Sequence, residues 1–165
     1  MKNKFVELPI STRDGKFIAH YSEKGLAEID WPKVGQASPR AAKKEIVPAK
    51  IRAWHRITET ALKKILAGKK SKLQPLDWTG KTEFQKSVWR QMLKISTGKT
   101  KSYGEIAAAI GKPKAVRAVG GACGANPVPV LVPCHRVLAA NKKLGGFSGG
   151  LDWKRSLLKR EGIII

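Results

Sequence analysis

Acidic residues, cysteine, histidine and long apolar runs are all scarce in this chain of 165 residues. Only 12 Asp and Glu stand against 33 Lys and Arg, a formal net charge of +21 at pH 7. So large a shortage of negative charge points to a polyanionic partner, nucleic acid ahead of a membrane surface. The two cysteines, Cys123 and Cys134, are too few for a disulfide framework and too far apart for a CxxC metal site. His20, His55 and His135 are scattered, which argues against a structural zinc, so no metal is expected. No apolar stretch approaches the length of a membrane span, and Met1-Lys2-Asn3-Lys4 leads into an alternating segment without the apolar core of a signal peptide. A reducing, cytoplasmic setting is expected (nucleoid-associated, or nuclear in a eukaryote), with no membrane contact. The apolar fraction of 42% is ordinary for a soluble protein, and the length suits one medium domain or two small ones.

Phe5, Val6, Leu8 and Ile10 precede a polar turn ending in Asp14-Gly15. Phe17-Ile18-Ala19 and then Leu26, Ile29 and Trp31 follow between further turns, the pattern of a small antiparallel meander. Pro32 to Pro48 is a polar, lysine-rich connection. Ile51, Trp54, Thr58, Ala61, Leu62 and Ile65 recur at helical spacing, and Gly68 is placed to end that helix. The first part of the chain thus reads as an α+β module, a small antiparallel sheet plus a helix, over residues 1–76. Lys69 to Gly80 is a basic segment with Pro and Gly, and a domain boundary is expected there, with a second domain over 77–165.

The second part is mainly helical. Thr82-Glu83-Phe84-Gln85 has capping-box form and opens a helix with Phe84, Val88, Met92 and Ile95 on one side. Gly98-Lys99-Thr100 looks like the tail of a phosphate-binding loop, but Leu93 stands where the leading glycine is required, so the match fails. Ser102-Tyr103-Gly104-Glu105 is a second capping box, Gly111 ends its helix, and Pro113 suits the first turn of another running from Lys114 to about Cys123. Two short helices joined this way have the form of a helix-turn-helix. The second is built of Ala115, Ala118, Gly120, Gly121 and Ala122, with little that could specify a base edge. DNA binding without sequence specificity is the expectation. A last helix, Leu151 to Glu161, packs through Leu151, Leu157 and Leu158 and stops at Gly162; Glu161 sits in its final turn, where the helix dipole disfavours negative charge.

Pro133-Cys134-His135-Arg136-Val137 places a thiol beside a histidine, just after the apolar run Val128 to Leu131. A thiolate is the form that attacks electrophiles, and it needs a base or positive surroundings. Taken alone, the dipeptide fits a buried structural cysteine more readily than a catalytic pair. A cysteine hydrolase would explain Cys and His but neither the charge nor the helix-turn-helix.

Cys134 has company at fixed spacings. Pro133 to Val137 resembles the active-site signature of the O6-alkylguanine-DNA alkyltransferases, the methylated-DNA–protein-cysteine methyltransferases. The likeness extends through Ser102-Tyr103-Gly104-Glu105, Ala115-Val116-Arg117-Ala118-Val119-Gly120, Asn126-Pro127, Gly146-Phe147-Ser148-Gly149-Gly150 and Leu157-Leu158…Glu161-Gly162, covering about residues 80 to 162. It implies an α+β N-terminal module followed by a mainly α C-terminal domain with a winged-helix-like helix-turn-helix. It also implies a stoichiometric, irreversible repair reaction in which Cys134 takes the alkyl group from guanine O6 in DNA, O4-alkylthymine being a further possible substrate.

By the same resemblance, water joins Cys134 to His135, Glu161 orients the imidazole, and Asn126 supports the turn that presents the cysteine. Arg117 fills the gap left by a flipped nucleotide, Tyr103 promotes flipping, the Ser148 amide stabilises O6, and the carbonyls of Cys134 and Val137 recognise the exocyclic amine. Lys114 and Arg136 join the DNA-binding set. The implied partner is double-stranded DNA held in the minor groove, with the protein a monomer open to cooperative binding, and no cofactor is implied. Cys123 stands where some relatives carry a bulkier apolar residue, and the N-terminal part lacks the zinc-binding set of some members. A non-catalytic sensor of alkylated DNA with the same fold is the alternative; such proteins replace the cysteine, commonly with Trp, and Cys134 is present.

Overall fold

The computed structural model describes residues 5–35 and 46–165, so most of the expected Pro32–Pro48 connection lies outside the described residues. Three short strands come first: β1 (Val6–Thr12), β2 (Gly15–Tyr21) and β3 (Leu26–Asp30), antiparallel in the order β1-β2-β3. Phe17, Ala19 and Tyr21 bury one face of the central strand, and Ile10, Leu26 and Ile29 extend the same apolar layer. Helix α1 (Ala49–Leu66) buries Ile51, Trp54, Thr58, Ala61, Leu62 and Ile65, the face read from their spacing. Gly68 adopts φ +74°, and the amides of Gly68 and Lys69 return to the carbonyls of Ile65 and Lys64 to close the helix end.

Residues 69–80 are more than a spacer. Leu76 bridges Leu26, with Leu26 N donating to Pro75 O and Asp77 N to Leu26 O, so the segment lies along the free edge of β3. Helix α2 (Glu83–Leu93) follows, opened by the capping box of Thr82 and Gln85. Then come β4 (Lys101–Ser102), α3 (Tyr103–Ala109) with the Ser102–Glu105 capping box, and α4 (Val116–Gly124). Helix α4 starts two residues beyond the expected Lys114: Pro113 and Lys114 belong to the turn, and Ala115 caps the helix. A 3₁₀ turn (Cys134–Arg136) leads into β5 (Val137–Leu138), which pairs in parallel with β4, and α5 (Leu151–Arg160) ends the fold. Leu151, expected in the core, is 41% exposed, whereas Leu157 and Leu158 are buried. At the first turn of α5 the apolar face has not yet reached its neighbours.

The sheet, α1 and the helical half share one continuous apolar core. The Trp89 indole in α2 donates to the Ala122 carbonyl of α4 at 2.8 Å, fixing the helix-turn-helix against its support. The fork of Arg160 pairs with both Asp14 oxygens at 2.7 and 2.9 Å and donates to Leu66 O, tying the end of α5 to the β1–β2 turn and to α1. No described helix is long and apolar enough to cross a membrane.

Gly68 marks how closely these parts approach. A Cβ there would lie 2.2 Å from the Arg160 carbonyl oxygen, on a backbone already at positive φ. Gly68→Ala is therefore expected to lower the melting temperature by about 5 °C or more, from strain of roughly 2 kcal/mol. An unchanged thermal transition would show that the two helix ends are not in this contact.

Candidate active site

The chain reaches Cys134 by a sequence of tight turns. Val130 is buried at φ +71°, and Leu131 N donates to Pro129 O across it, a γ-turn that β-branched residues seldom occupy. Pro133 (φ −81°, ψ 68°) centres an inverse γ-turn closed by Cys134 N to Val132 O at 2.8 Å. Asn126 braces the approach, its amide donating to Val132 O at 2.8 Å and its oxygen accepting from Val128 N at 3.0 Å. Cys134 to Arg136 then form a 3₁₀ turn. Successive side chains in such a turn diverge by about 120°. Cys134 and His135 consequently point apart.

The sulfur of Cys134 is buried beside the Asn126 amide and the backbone amides of Cys134 and His135. Burial raises its pKa, and these donors and the Lys154 charge only partly oppose that. The resting group is the neutral thiol. Cys134 forms part of the wall of a cavity of about 270 Å³, shared with Tyr103, Gly120, Cys123, Gly124, Gly146, Phe147 and Ser148. One wall is helix α4 and the other is the glycine-rich loop before α5.

His135 is fully buried and leads away from the cavity to Glu161, with Nε2 to Oε1 at 2.9 Å. An ionised carboxylate accepts only, so Nε2 carries the hydrogen and Nδ1 is the basic nitrogen. Nδ1 is buried with no hydrogen-bond partner among the described residues. Burial lowers the His135 pKa, outweighing the opposing pull of Glu161, so the imidazole is neutral and able to take a proton.

Glu161 is held from three sides. Besides His135 it accepts from the Arg136 fork (Nε to Oε2 at 2.9 Å, Nη2 to Oε1 at 2.8 Å) and from Gly98 N at 3.2 Å. Burial alone would raise this carboxyl, yet the hydrogen bonds of His135 and Arg136 and the Arg136 charge hold its pKa at about 2. Arg136 also donates to Ile95 O and Thr97 Oγ1. Arg136, expected at the DNA, is thus a buried partner of Glu161; Cys134, two residues earlier, lines the cavity, but the turn sends Arg136 inward.

Tyr103 starts α3 at the cavity edge, and the Gly146 amide hydrogen-bonds its hydroxyl. Burial and the nearby thiols raise its pKa, so it stays a donor. Arg117 and Lys114 are exposed, Arg117 on the outer face of α4 and Lys114 in the turn before it; neither lines the cavity. Val137 is buried in β5, also away from the lining. Cys123 faces the same cavity, with its thiol pKa pushed up to about 12, chiefly by burial. Among the described residues no three His, Cys, Asp or Glu converge as metal ligands; His20 and His55 bond to Asp30 and Tyr21 in the N-terminal module.

Sequence reasoning missed Lys154. This lysine is fully buried, and its ammonium donates to the carbonyls of Leu144 and Gly146 while lying 5.9 Å from the ring centres of Tyr103 and Phe147. It fastens the glycine-rich loop and is the positive charge that acts on Cys134. The signal was there: Lys154 precedes Leu157 and Leu158 by three and four residues, which places it on the buried face of α5.

A thiol in a cavity rimmed by the second helix of a helix-turn-helix defines a class of DNA-facing thiol proteins. Residues 83–163 match the family model described as the 6-O-methylguanine DNA methyltransferase, DNA binding domain. The methylated-DNA–protein-cysteine methyltransferase of Methanosarcina barkeri is 39% identical over 160 residues, covering 94% of this chain and 94% of that protein. The Methanosarcina acetivorans protein of the same name is 59% identical over 81 residues, 49% of this chain, and there the chain spans about half (52%) of the relative's length. A crystal structure of the Mycobacterium tuberculosis O6-methylguanine methyltransferase superposes with a TM-score of 0.72 at 34% identity, covering 96% and 93% of the two chains. One of Mycobacterium tuberculosis OGT in complex with DNA gives a TM-score of 0.70 at 34% identity, covering 94% and 92%. The chain belongs to the methylated-DNA–protein-cysteine methyltransferase family.

The buried pair sets a pH dependence of stability. Unfolded, His135 titrates near 6.5, and its lower folded pKa means that its contribution, present above 6.5, is lost as pH falls below that value. Glu161, held at about 2 against 4.5 when unfolded, contributes above 4.5 and loses that contribution as pH falls toward 2. The melting temperature is expected to decline steadily from pH 6.5 downward, and below pH 4.5 less steeply in Glu161→Gln, which lacks the titrating carboxyl. A flat profile in the native protein between those limits would show that the pair is not coupled to folding.

Proposed function

We propose that this protein repairs DNA directly, transferring the alkyl group of O6-alkylguanine to Cys134 in a single, irreversible turnover. The carrying observation is a neutral thiol in a cavity walled by α4, braced by Asn126 and backed by a neutral histidine that Glu161 orients. The Cys134 proton passes to His135 Nδ1, through one water where the two side chains diverge, in the order of nucleophile, base and orienter. The thiolate sulfur attacks the alkyl carbon, the C–O6 bond breaks, and its electron pair returns to the guanine ring system. The proton carried by the imidazole completes the repaired base, and Cys134 keeps a thioether. No cofactor enters this balance.

The lesion must leave the base stack to reach the sulfur. Arg117, exposed on α4 without a side-chain partner among the described residues, fills the vacated space. Tyr103 donates to the incoming guanine, the Ser148 amide supports O6, and the carbonyls of Cys134 and Val137 select the exocyclic amine. At Gly120, Gly121 and Gly124 an added Cβ would meet nothing within 4 Å, so protein packing does not require these glycines. Their smallness serves close approach by the minor groove, where sequence readout is degenerate and damage can be met in any context. Lys114 and the wider lysine excess supply phosphate contacts, so affinity falls steeply with salt. The protein acts as a monomer on duplex DNA.

Incubation with duplex DNA containing O6-methylguanine is expected to add one methyl group to Cys134 and none to Cys123, with repair ending at one equivalent by intact-mass and peptide analysis. Repeated turnover, or an intact lesion beside unmodified Cys134, contradicts the proposal. Arg117→Ala is expected to slow repair in duplex DNA by about ten-fold or more, roughly the cost of an unassisted unstacking, while sparing reaction with the free modified base. Equal losses on both substrates would remove Arg117 from the flipping step.

A further inference from the structure

Beyond the residues that face the lesion, the N-terminal module reaches the cavity wall through Trp31. Trp31 follows β3, and its ring centre lies 5.7 Å from that of Phe147 and 4.9 Å from that of Trp153, with Phe17 5.8 Å away on the sheet side. Phe147 lines the cavity, and Trp153 directly precedes Lys154, the anchor of the same loop. Trp31 therefore touches the loop and the helix that holds it.

Gly149 shows how close the contact is. A Cβ there would lie 2.7 Å from Cε2 and Cζ2 of Trp31 and 3.1 Å from Cε1 of Phe147. The φ of Gly149 is not in the left-handed region, so the glycine is required for space: the loop backbone lies against the indole. The loop has little of its own to fix it, since Gly146, Ser148 and Gly150 are exposed and glycine-rich backbone is intrinsically free. The same stretch of chain fastens a second part of the site, because Ile29 N donates to Pro127 O at 2.9 Å, next to Asn126.

We infer that Trp31 is a positioning residue for the guanine pocket: by packing on Phe147 and Gly149 it fixes the wall that carries the Ser148 amide. The inference rests on reading the cavity as the guanine site. It gives the N-terminal module a part in the reaction without any contact to the lesion. A wall displaced by an ångström costs orders of magnitude in rate when the reacting atoms must align.

The test measures single-turnover methylation of Cys134 against concentration, with lesion-bearing duplex DNA and with free O6-methylguanine base, for Trp31→Ala, Trp31→Phe, Gly149→Ala and the Trp31→Ala/Gly149→Ala pair. Trp31→Ala is expected to lower the efficiency of both reactions by about ten-fold or more, mainly through weaker saturation, while Cys134 reactivity toward iodoacetamide and affinity for undamaged duplex stay within about two-fold. Trp31→Phe should recover most of the loss. Gly149→Ala should be as harmful alone, and add little in the Trp31→Ala background, because the two changes disturb one contact. Unchanged methylation in Trp31→Ala, or losses that multiply in the pair, overturn the role of Trp31. If Trp31→Ala fails to fold, Gly149→Ala decides, and a native rate there overturns the inference. A native protein that leaves the lesion untouched overturns the reading of the cavity and this inference with it.

Discussion

The buried carboxylate of Glu161 is the constraint on which the site depends. It lies at the C-terminal end of α5, where the helix dipole opposes a negative charge, and its side chain is 1% exposed. Such a group persists only with its lone pairs filled, and four donors from two segments fill them: the imidazole, the two nitrogens of the Arg136 fork and the Gly98 amide. Removing one partner of a buried ion pair of this kind costs roughly 3 to 5 kcal/mol, because the other charge is stranded. One carboxylate therefore joins the last helix, the turn bearing the nucleophile and the loop after α2, and fixes which nitrogen of His135 is basic.

Two kinds of surface meet at the cavity. The interior side is built from satisfied polar groups with fixed partners, Asn126 and Lys154 among them. The outer side is glycine and alanine on α4, with space left open and a single long cation, Arg117, projecting from it. In the proposed reaction, specificity for damage falls to the first surface and indifference to sequence to the second, so the two functions sit on separate residues.

Much of this was legible in the chain because it is local. The capping boxes at Thr82 and Ser102 and the six-residue face of α1 depend on spacings within one or two turns, and they stand where the spacing put them. Arg136 was misplaced because it stands two residues from the cavity-lining Cys134, and only a 3₁₀ turn, with distant Glu161 as its partner, sends it inward. Lys154 was overlooked because a lysine on an apolar face makes sense only once the carbonyls of Leu144 and Gly146 are seen around it. Trp31 read as one more apolar residue of the strand meander, since nothing in a linear sequence brings it to Gly149. Periodicity reports which way a side chain faces along its own element; it does not report what another element brings to meet it.

The neutral, enclosed thiol of Cys134 bears on lifetime. Under the proposed reaction each molecule reacts once, so the protein is a reagent with a finite stock and every unintended encounter removes a molecule for good. A resting thiolate would be drained by any small electrophile that diffused in. Protonation and enclosure lower the reactivity of the thiol toward such encounters. In the proposed reaction the stock is thereby kept for lesions rather than spent on the chemistry of the surrounding solution.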